Sequence, residues 1–237
     1  LVTLPENFPL MGHEDSERLL IKESLGDGKL QQFLSEQAQK HQIWLLGGTI
    51  PLASSNPEKV YAASLLYNPV GECIAHYNKL HLFDVLLDEA EQESYQESRC
   101  FVAGENAVVA KTDIGNIGLS VCYDLRFPEL YRQMHEDNAQ IIVAPSAFTA
   151  KTGEAHWESL LKARAIENLC YVIASNQGGI HVNQRETWGH SMIIDPWGKI
   201  LAKLDKGEGI AIANIDLEKQ TRLRNMFPVL SHRKIGL

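Results

Sequence analysis

Cysteine is scarce and scattered. The four cysteines, Cys73, Cys100, Cys122 and Cys170, never approach the C-x-x-C spacing of a structural metal site or a redox pair. No metal is expected, and the thiols read as reduced, as in the cytoplasm. Lysine and arginine runs are missing as well. With a formal net charge of -8 and a pI near 5.6, the chain lacks the electropositive surface that nucleic acid or anionic lipid selects. The apolar runs are strand-sized, Ile141 to Val143 being typical, and fall far short of the roughly 18 residues that a membrane span needs. No signal peptide is visible. A methionine is missing too: the chain opens on Leu1-Val2-Thr3-Leu4, as though already inside a buried strand, and residues upstream are expected.

What is present is a globular composition. Hydrophobic types make up 44% and charged types 22%, enough for a sizeable core. A single domain over residues 1–237 is the simplest expectation, acting on a small molecule and not on a polymer or a membrane.

Periodicity divides the chain into alternating elements. Leu1 to Leu4 reads as a strand ending at Pro5, Gly28 to His41 as a helix and Ile43 to Ile50 as a strand. Two hairpins follow from their turn residues. One runs from Ala63 to Tyr77 around Pro69-Val70-Gly71, the other from His190 to Leu204 around Asp195-Pro196-Trp197-Gly198, and the repetition hints at internal pseudosymmetry. Ile117 to Val121, Ile141 to Ala144 and Tyr171 to Ser175 read as strands, Glu154 to Leu169 as a helix. A further helix is expected after Pro128, since proline suits a first turn. The polar stretch Asp88 to Ser98 reads as a mobile surface loop. This mixture predicts sheets covered by outer helices.

Cys122 stands at a junction between a strand and a helix, where a nucleophile can be presented on a sharp turn with backbone N–H groups nearby. By itself it is a weak candidate, because a cysteine after a strand is more often a small buried hydrophobe. A thiol that attacks an amide also needs a base and a cation or donors where negative charge develops. His81 and His156 sit in plausible contexts without a nucleophile motif beside them. Glu6, directly after Leu4-Pro5, is a carboxylate alternative, although strand-end glutamates usually face water. Lys79 could equally face solvent. Asp124 and Arg126 read first as a structural ion pair fixing the turn, with Arg126 also able to clamp a substrate carboxylate. Phe148 and Thr149 follow a buried strand where pocket walls are common. Trp157, Trp188 and Trp197 read as structural, and His156 as satisfying a local hydrogen bond.

Three segments decide between these readings. Leu4-Pro5-Glu6, Tyr77-Asn78-Lys79-Leu80-His81-Leu82-Phe83 and the run from Gly118 through Cys122-Tyr123-Asp124-Leu125-Arg126-Phe127-Pro128-Glu129 resemble, in order, the three catalytic motifs of the nitrilase superfamily of carbon-nitrogen hydrolases. The likeness continues through Ala144 to Phe148, Ala155 to Glu158, Arg164 to Asn168 and Gly189 to Gly198, and so spans nearly the whole chain. It implies a four-layer α-β-β-α sandwich, here without the first strand and helix that the family normally places before the Pro-Glu motif. It also implies a general base at Glu6, a transition-state stabiliser at Lys79, a nucleophile at Cys122 and a second glutamate at Glu97, within Tyr95-Gln96-Glu97-Ser98. The backbone N–H of Tyr123 would join Lys79 in holding the oxyanion. No cofactor is implied, and a homodimer or larger homo-oligomer is.

Within the superfamily, His156-Trp157-Glu158, Trp188-Gly189-His190-Ser191 and Phe227 to Arg233 resemble the branch containing deaminated glutathione amidase and omega-amidase, and lean toward the former. Hydrolysis of N-carbamoyl compounds uses the same four catalytic residues and stays open, as do acyl transfer to an amine and a catalytically silent binding protein.

Overall fold

The structure is a computed structural model that describes residues 1–88 and 93–235. Its first sheet forms from the opening third of the chain: β1 (Val2–Thr3), then helix α1 (Lys29–His41), β2 (Leu45–Leu46), β3 (Ile50–Ala53), β4 (Val60–Tyr67) and β5 (Cys73–Asn78). β4 lies at the centre. β5 pairs with it antiparallel along one edge, and β2 and β3 follow one another along the opposite edge. β1 runs parallel to β2 on the outside.

β4 is buried along nearly its whole length, so both of its faces need cover, and its alternation supplies one set of side chains to each. Ala63, Leu65 and Tyr67 meet Leu34 and Ala38 of α1. Leu66, with Leu46 and Tyr77, turns the other way onto Ile117, Leu119 and Ala110 of a second sheet.

A surface hairpin, β6 (Asp84–Asp88) with β7 (Glu93–Gln96), precedes that second sheet. The sheet consists of β8 (Val108–Thr112), β9 (Gly115–Leu119), β10 (Ile141–Val143), β11 (Tyr171–Ala174) and, after the hairpin β12 (Gly178–Ile180) with β13 (Glu186–Trp188), β14 (Met192–Ile194) and β15 (Ile200–Lys203). The strands lie in the order β15-β14-β11-β10-β9-β8. The middle three, β9, β10 and β11, are parallel. Helices α2 (Pro128–Glu136) and α3 (Ala150–Asn168) cover it through Leu130, Tyr131 and Met134 and through Trp157, Leu161 and Ala165. A last helix, α4 (Leu217–Met226), is tied to loop carbonyls by Gln220 and Arg224. The layers are therefore α-β-β-α, the architecture expected from the sequence. Among the described residues no helix is long and apolar enough to cross a membrane.

Three local expectations change. The single strand over Ile43 to Ile50 is broken into β2 and β3 at Gly47-Gly48, because the chain must pass the backbone of Pro5. Gly48 has φ +54, and a Cβ there would sit 2.0 Å from the Pro5 carbonyl oxygen. The stretch Asp88 to Ser98 is not a loop throughout: Glu93–Gln96 pairs with β6, and Glu97–Arg99 forms a short 3-10 turn, while residues 89–92 lie outside the described residues. Backbone pairing needs no apolar side chains, so polarity misled there. The helix expected from Glu154 starts earlier, at Ala150, because Thr149 caps it by accepting from the Thr152 N–H at 3.3 Å.

Gly48→Ala is expected to lower stability by about 1–3 kcal/mol, from positive-φ strain and the clash with Pro5. It should reduce activity at the same time, because Pro5 leads directly into Glu6. A urea midpoint unchanged from the parent protein would show that the close approach does not constrain the fold.

Candidate active site

The site forms where the two sheets run out together. Three parallel strands of the second sheet deliver their C-terminal ends to one place, as open α/β sheets do at ligand sites. β9 leads into Cys122, β10 into Ala144–Thr149 and β11 into Asn176. Cys122 takes a left-handed backbone, φ +48, which turns the chain sharply off the strand. Its N–H is held by the Pro145 carbonyl at 3.0 Å. Asp124, fully buried, fixes the turn from inside. It accepts from Val121 N–H at 2.8 Å, Tyr77 Oη at 2.7 Å and His81 N–H at 3.0 Å, and lies 2.7 Å from His81 Nδ1. The turn is thus fixed by Asp124 as expected, but not through a pair with Arg126.

The first sheet supplies the charges. Tyr77 and Lys79 lie two residues apart on β5 and its continuation, so both face inward. Lys79 is 2% exposed. Its Nζ lies 2.9 Å from Glu6 Oε1 and 2.9 Å from each oxygen of Glu97. Glu6 is 4% exposed, and its backbone is locked at the end of β1 by Gln177 Nε2, which donates to its carbonyl at 3.0 Å. Glu97 enters from the turn after β7 and accepts from the Phe83 N–H at 2.7 Å. The Cys122 thiol hydrogen-bonds to Glu6 and receives the N–H of Ala147. Four residues from four separate stretches of chain thereby share one buried contact network.

Burial opposes every charge in this network, and the partners decide which charges survive. For Glu6 burial would raise the carboxyl, but the Lys79 ammonium and its hydrogen bond hold it below the ordinary value. For Lys79 burial favours the neutral amine, yet Glu6 and Glu97 push it well above the ordinary lysine range. Glu97 is raised by burial and by the negative charge of Glu6. The Cys122 thiol is raised well above its ordinary value by burial and then by Glu6; Lys79 pulls it down but is outweighed. The resting arrangement is an ionised carboxylate at Glu6, an ammonium at Lys79 and a neutral thiol at Cys122. A narrow cleft opens onto these groups, walled by Phe83, Tyr123, Arg126, Phe148 and Arg185. The four cysteines are free, as expected.

The carbon-nitrogen hydrolase profile matches residues 1–225. The chain belongs to the carbon-nitrogen hydrolase family. It is 44% identical over 236 residues to a deaminated glutathione amidase of Synechocystis, covering 98% of this chain and 85% of that protein. It is 41% identical over 241 residues to the human deaminated glutathione amidase, covering 100% of this chain and 73% of that protein. Among solved structures, the Caenorhabditis elegans NitFhit protein superposes with a TM-score of 0.87 at 40% identity, over 98% of this chain and 56% of that one. A Saccharomyces cerevisiae member of branch 10 of the nitrilase superfamily gives 0.86 at 32% identity, over 99% and 83%. The resemblance read from the motifs is thereby established at the level of family and fold, and with it an enzyme that acts on amides.

In this carbon-nitrogen hydrolase the remaining expected residues also reach the cleft. The Tyr123 ring packs edge-on against Phe83 and Phe127, with centroids 5.0 and 5.3 Å away. Arg126 lies over Tyr123 and Phe148, 5.8 and 5.6 Å from their ring centres. His156 makes the local bond expected of it, with Nδ1 3.3 Å from Arg126 Nη1. Phe148 lines the cleft and leans on Trp157 at 4.8 Å, while the Thr149 hydroxyl is committed to the cap of α3. Among the residues that line the cleft, Asn7, Arg18 and Arg185 went unread in the sequence, as did Asn176, which supports the Phe148 backbone. Arg18 bonds Asn7 and Asp15 at the mouth, and Asn176 accepts from the Phe148 N–H at 3.0 Å. Asn176 alone carried a signal, since it follows a buried parallel strand; the others come from segments without a motif.

The proton positions predict the pH dependence. With Glu6 as the proposed base, whose folded value lies below the ordinary 4.5, activity is expected to fall only as pH drops through that depressed value. The thiol sits well above its ordinary 9.0 and sets no limb near neutrality. The log of kcat/KM should therefore be flat from about pH 5 to 8. A limb near neutrality that vanishes in Glu6→Gln would contradict the assignment.

Proposed function

We propose that this carbon-nitrogen hydrolase cleaves the amide that joins the C5 carboxyl of the 2-oxoglutarate unit to cysteinylglycine in deaminated glutathione, through a thioester on Cys122. The observation that carries the chemistry is the thiol in contact with a buried carboxylate that is itself held by Lys79. The names of the relatives supply the substrate. Cys122 Sγ attacks the amide carbon while Glu6 takes the thiol proton, and the developing oxyanion is met by Lys79 and the Tyr123 backbone N–H. Glu6 then hands its proton to the leaving amine as the C–N bond breaks. Glu6 next removes a proton from water, whose oxygen attacks the thioester carbon, and the same proton returns to sulfur as the acid leaves. Glu97 acts on Lys79, holding it in place and balancing its charge. None of these steps calls for a metal or an organic cofactor.

Cleavage of deaminated glutathione releases 2-oxoglutarate and cysteinylglycine, whereas 2-oxoglutaramate releases 2-oxoglutarate and ammonia. An assay of 2-oxoglutarate against both, with ammonia release from an N-carbamoyl amino acid as a third arm, ranks the three substrates expected from the sequence. Deaminated glutathione should give the highest kcat/KM. A higher value for either competitor removes the substrate assignment and leaves the mechanism intact.

Cys122→Ala should abolish turnover, and Glu6→Gln should lower kcat by about 10²–10⁴, the usual contribution of a positioned acid-base group. Turnover that survives Cys122→Ala would end the thioester mechanism. The further reading, a cytoplasmic homo-oligomer, is supported by the free thiols and by a cluster of exposed apolar side chains at Ile166, Trp197, Met226 and Phe227. Sedimentation velocity at micromolar concentration is expected to show a dimer or larger species.

A further inference from the structure

The cleft carries more positive charge than the catalytic groups account for. Lys79 is balanced by Glu6 and Glu97, and Arg18 by Asp15. Arg126 and Arg185 also line the cleft, and neither pairs with a carboxylate among the described residues; their polar contacts are His156 and the Ala147 carbonyl respectively. An uncompensated guanidinium in a concave site is a ready receptor for a carboxylate.

Arg185 is the better defined of the two. It closes the loop before β13, and its guanidinium lies over the Tyr95 ring, 4.8 Å from the centroid. Nη2 donates to the Ala147 carbonyl at 3.0 Å. Nε is buried and has no partner. The Ala147 carbonyl is the one hydrogen-bond partner of the guanidinium among the described residues, which leaves donor capacity in the cleft for an acceptor that comes with the ligand. The placement is also close to the chemistry. The Ala147 peptide that anchors Arg185 through its carbonyl gives its N–H to the Cys122 sulfur, and the Arg185 charge reaches Glu6.

We propose that Arg185 is a specificity-determining residue that binds a carboxylate of the amide substrate through its guanidinium, so that the cleft takes an amide anionic at both ends, one end on Arg126 and the other on Arg185. The inference rests on the amidase reading above and deepens it. An amide with a carboxylate on the acyl side and another on the amine side fits two separate guanidinium groups. A monoanionic primary amide leaves one of them empty.

The test measures KM and kcat of the parent enzyme, Arg185→Gln and Arg185→Lys on three substrates. These are deaminated glutathione, the analogue whose glycine carboxyl is a primary amide, and the analogue whose 2-oxo acid carboxyl is a primary amide. Release of the primary amine of cysteinylglycine or its amide, which the substrates lack, is the common readout. Arg185→Gln should raise KM for deaminated glutathione about tenfold to a hundredfold, the range for a charge-assisted hydrogen bond, with kcat little changed. On one of the two analogues that penalty should vanish, and this identifies the carboxylate bound; Arg185→Lys should restore part of the loss. Comparing substrates within one variant removes any shared effect of folding. An equal penalty on all three substrates, or a change in kcat and the acidic pH limb alone, would mean that Arg185 acts through Ala147 and Glu6, and would overturn the inference while the amidase reading stands. No turnover of any of the three by the parent enzyme would overturn the substrate reading itself.

Discussion

Lys79 is an ammonium sealed from water between two carboxylates, each 2.9 Å from its Nζ, and the rest of the site depends on its staying charged. Taking an ion out of water costs several kcal/mol even after relaxation, and here three ionisable groups are buried together. Such clusters seldom stabilise a fold better than well-packed apolar residues would. What the cluster secures is chemistry. Glu6 stays ionised in a buried place only because Lys79 is beside it, and Lys79 stays protonated there only because Glu6 and Glu97 are. The two carboxylates differ in what remains free for them to do. Glu97 is chelated by Lys79 and the Phe83 N–H, whereas Glu6 also faces the thiol. The proposed mechanism accordingly takes as its base the carboxylate that touches the thiol, with its partner keeping the cation in position.

The same electrostatics determine when the thiol becomes reactive. Glu6 is depressed and Cys122 raised, so moving the proton from sulfur to carboxylate is uphill in the empty site. The transfer becomes favourable as sulfur bonds to the amide carbon, because the negative charge then passes to the substrate oxygen near Lys79 instead of remaining on sulfur. A pre-formed thiolate is not required. This also limits side reactions, since oxidation and alkylation follow thiolate character. In the proposed mechanism Lys79 thus acts chiefly on the oxyanion and on Glu6, and less on the resting thiol than its proximity to Cys122 suggests.

The parts of this arrangement differ in how far the sequence announces them. Turn residues located the hairpins around β4–β5 and β14–β15, and helical spacing located α3, which buries one face against the core. The catalytic residues were legible only jointly: Cys122 alone resembles a buried thiol, Glu6 a rim carboxylate and Lys79 a solvent-facing lysine, and their three motifs together reverse all three readings. What stayed hidden acts through backbone or across long sequence separations. β7 pairs through peptide groups that polarity does not report. Asp124 was read as the partner of its neighbour Arg126, but its partners Tyr77 and His81 come from the other sheet. Arg185 reaches the cleft from a surface hairpin, and nothing in its neighbours marks it.

Asp124 also explains how a strained nucleophile is held without a rigid loop of its own. A non-glycine residue in the left-handed region costs about 1–3 kcal/mol, and Cys122 sits there at φ +48. The compensation is gathered on one carboxylate that binds the peptide before the nucleophile and, at the same time, the Tyr77 hydroxyl on β5. Tyr77 and Lys79 share the inward face of that strand, so a single element of the first sheet secures both the turn that presents the sulfur and the cation that stabilises the charge. A shift of β5 would move both together. The reacting geometry is therefore a property of how the two sheets pack, and the sandwich itself, more than any loop, keeps Glu6, Lys79 and Cys122 in register.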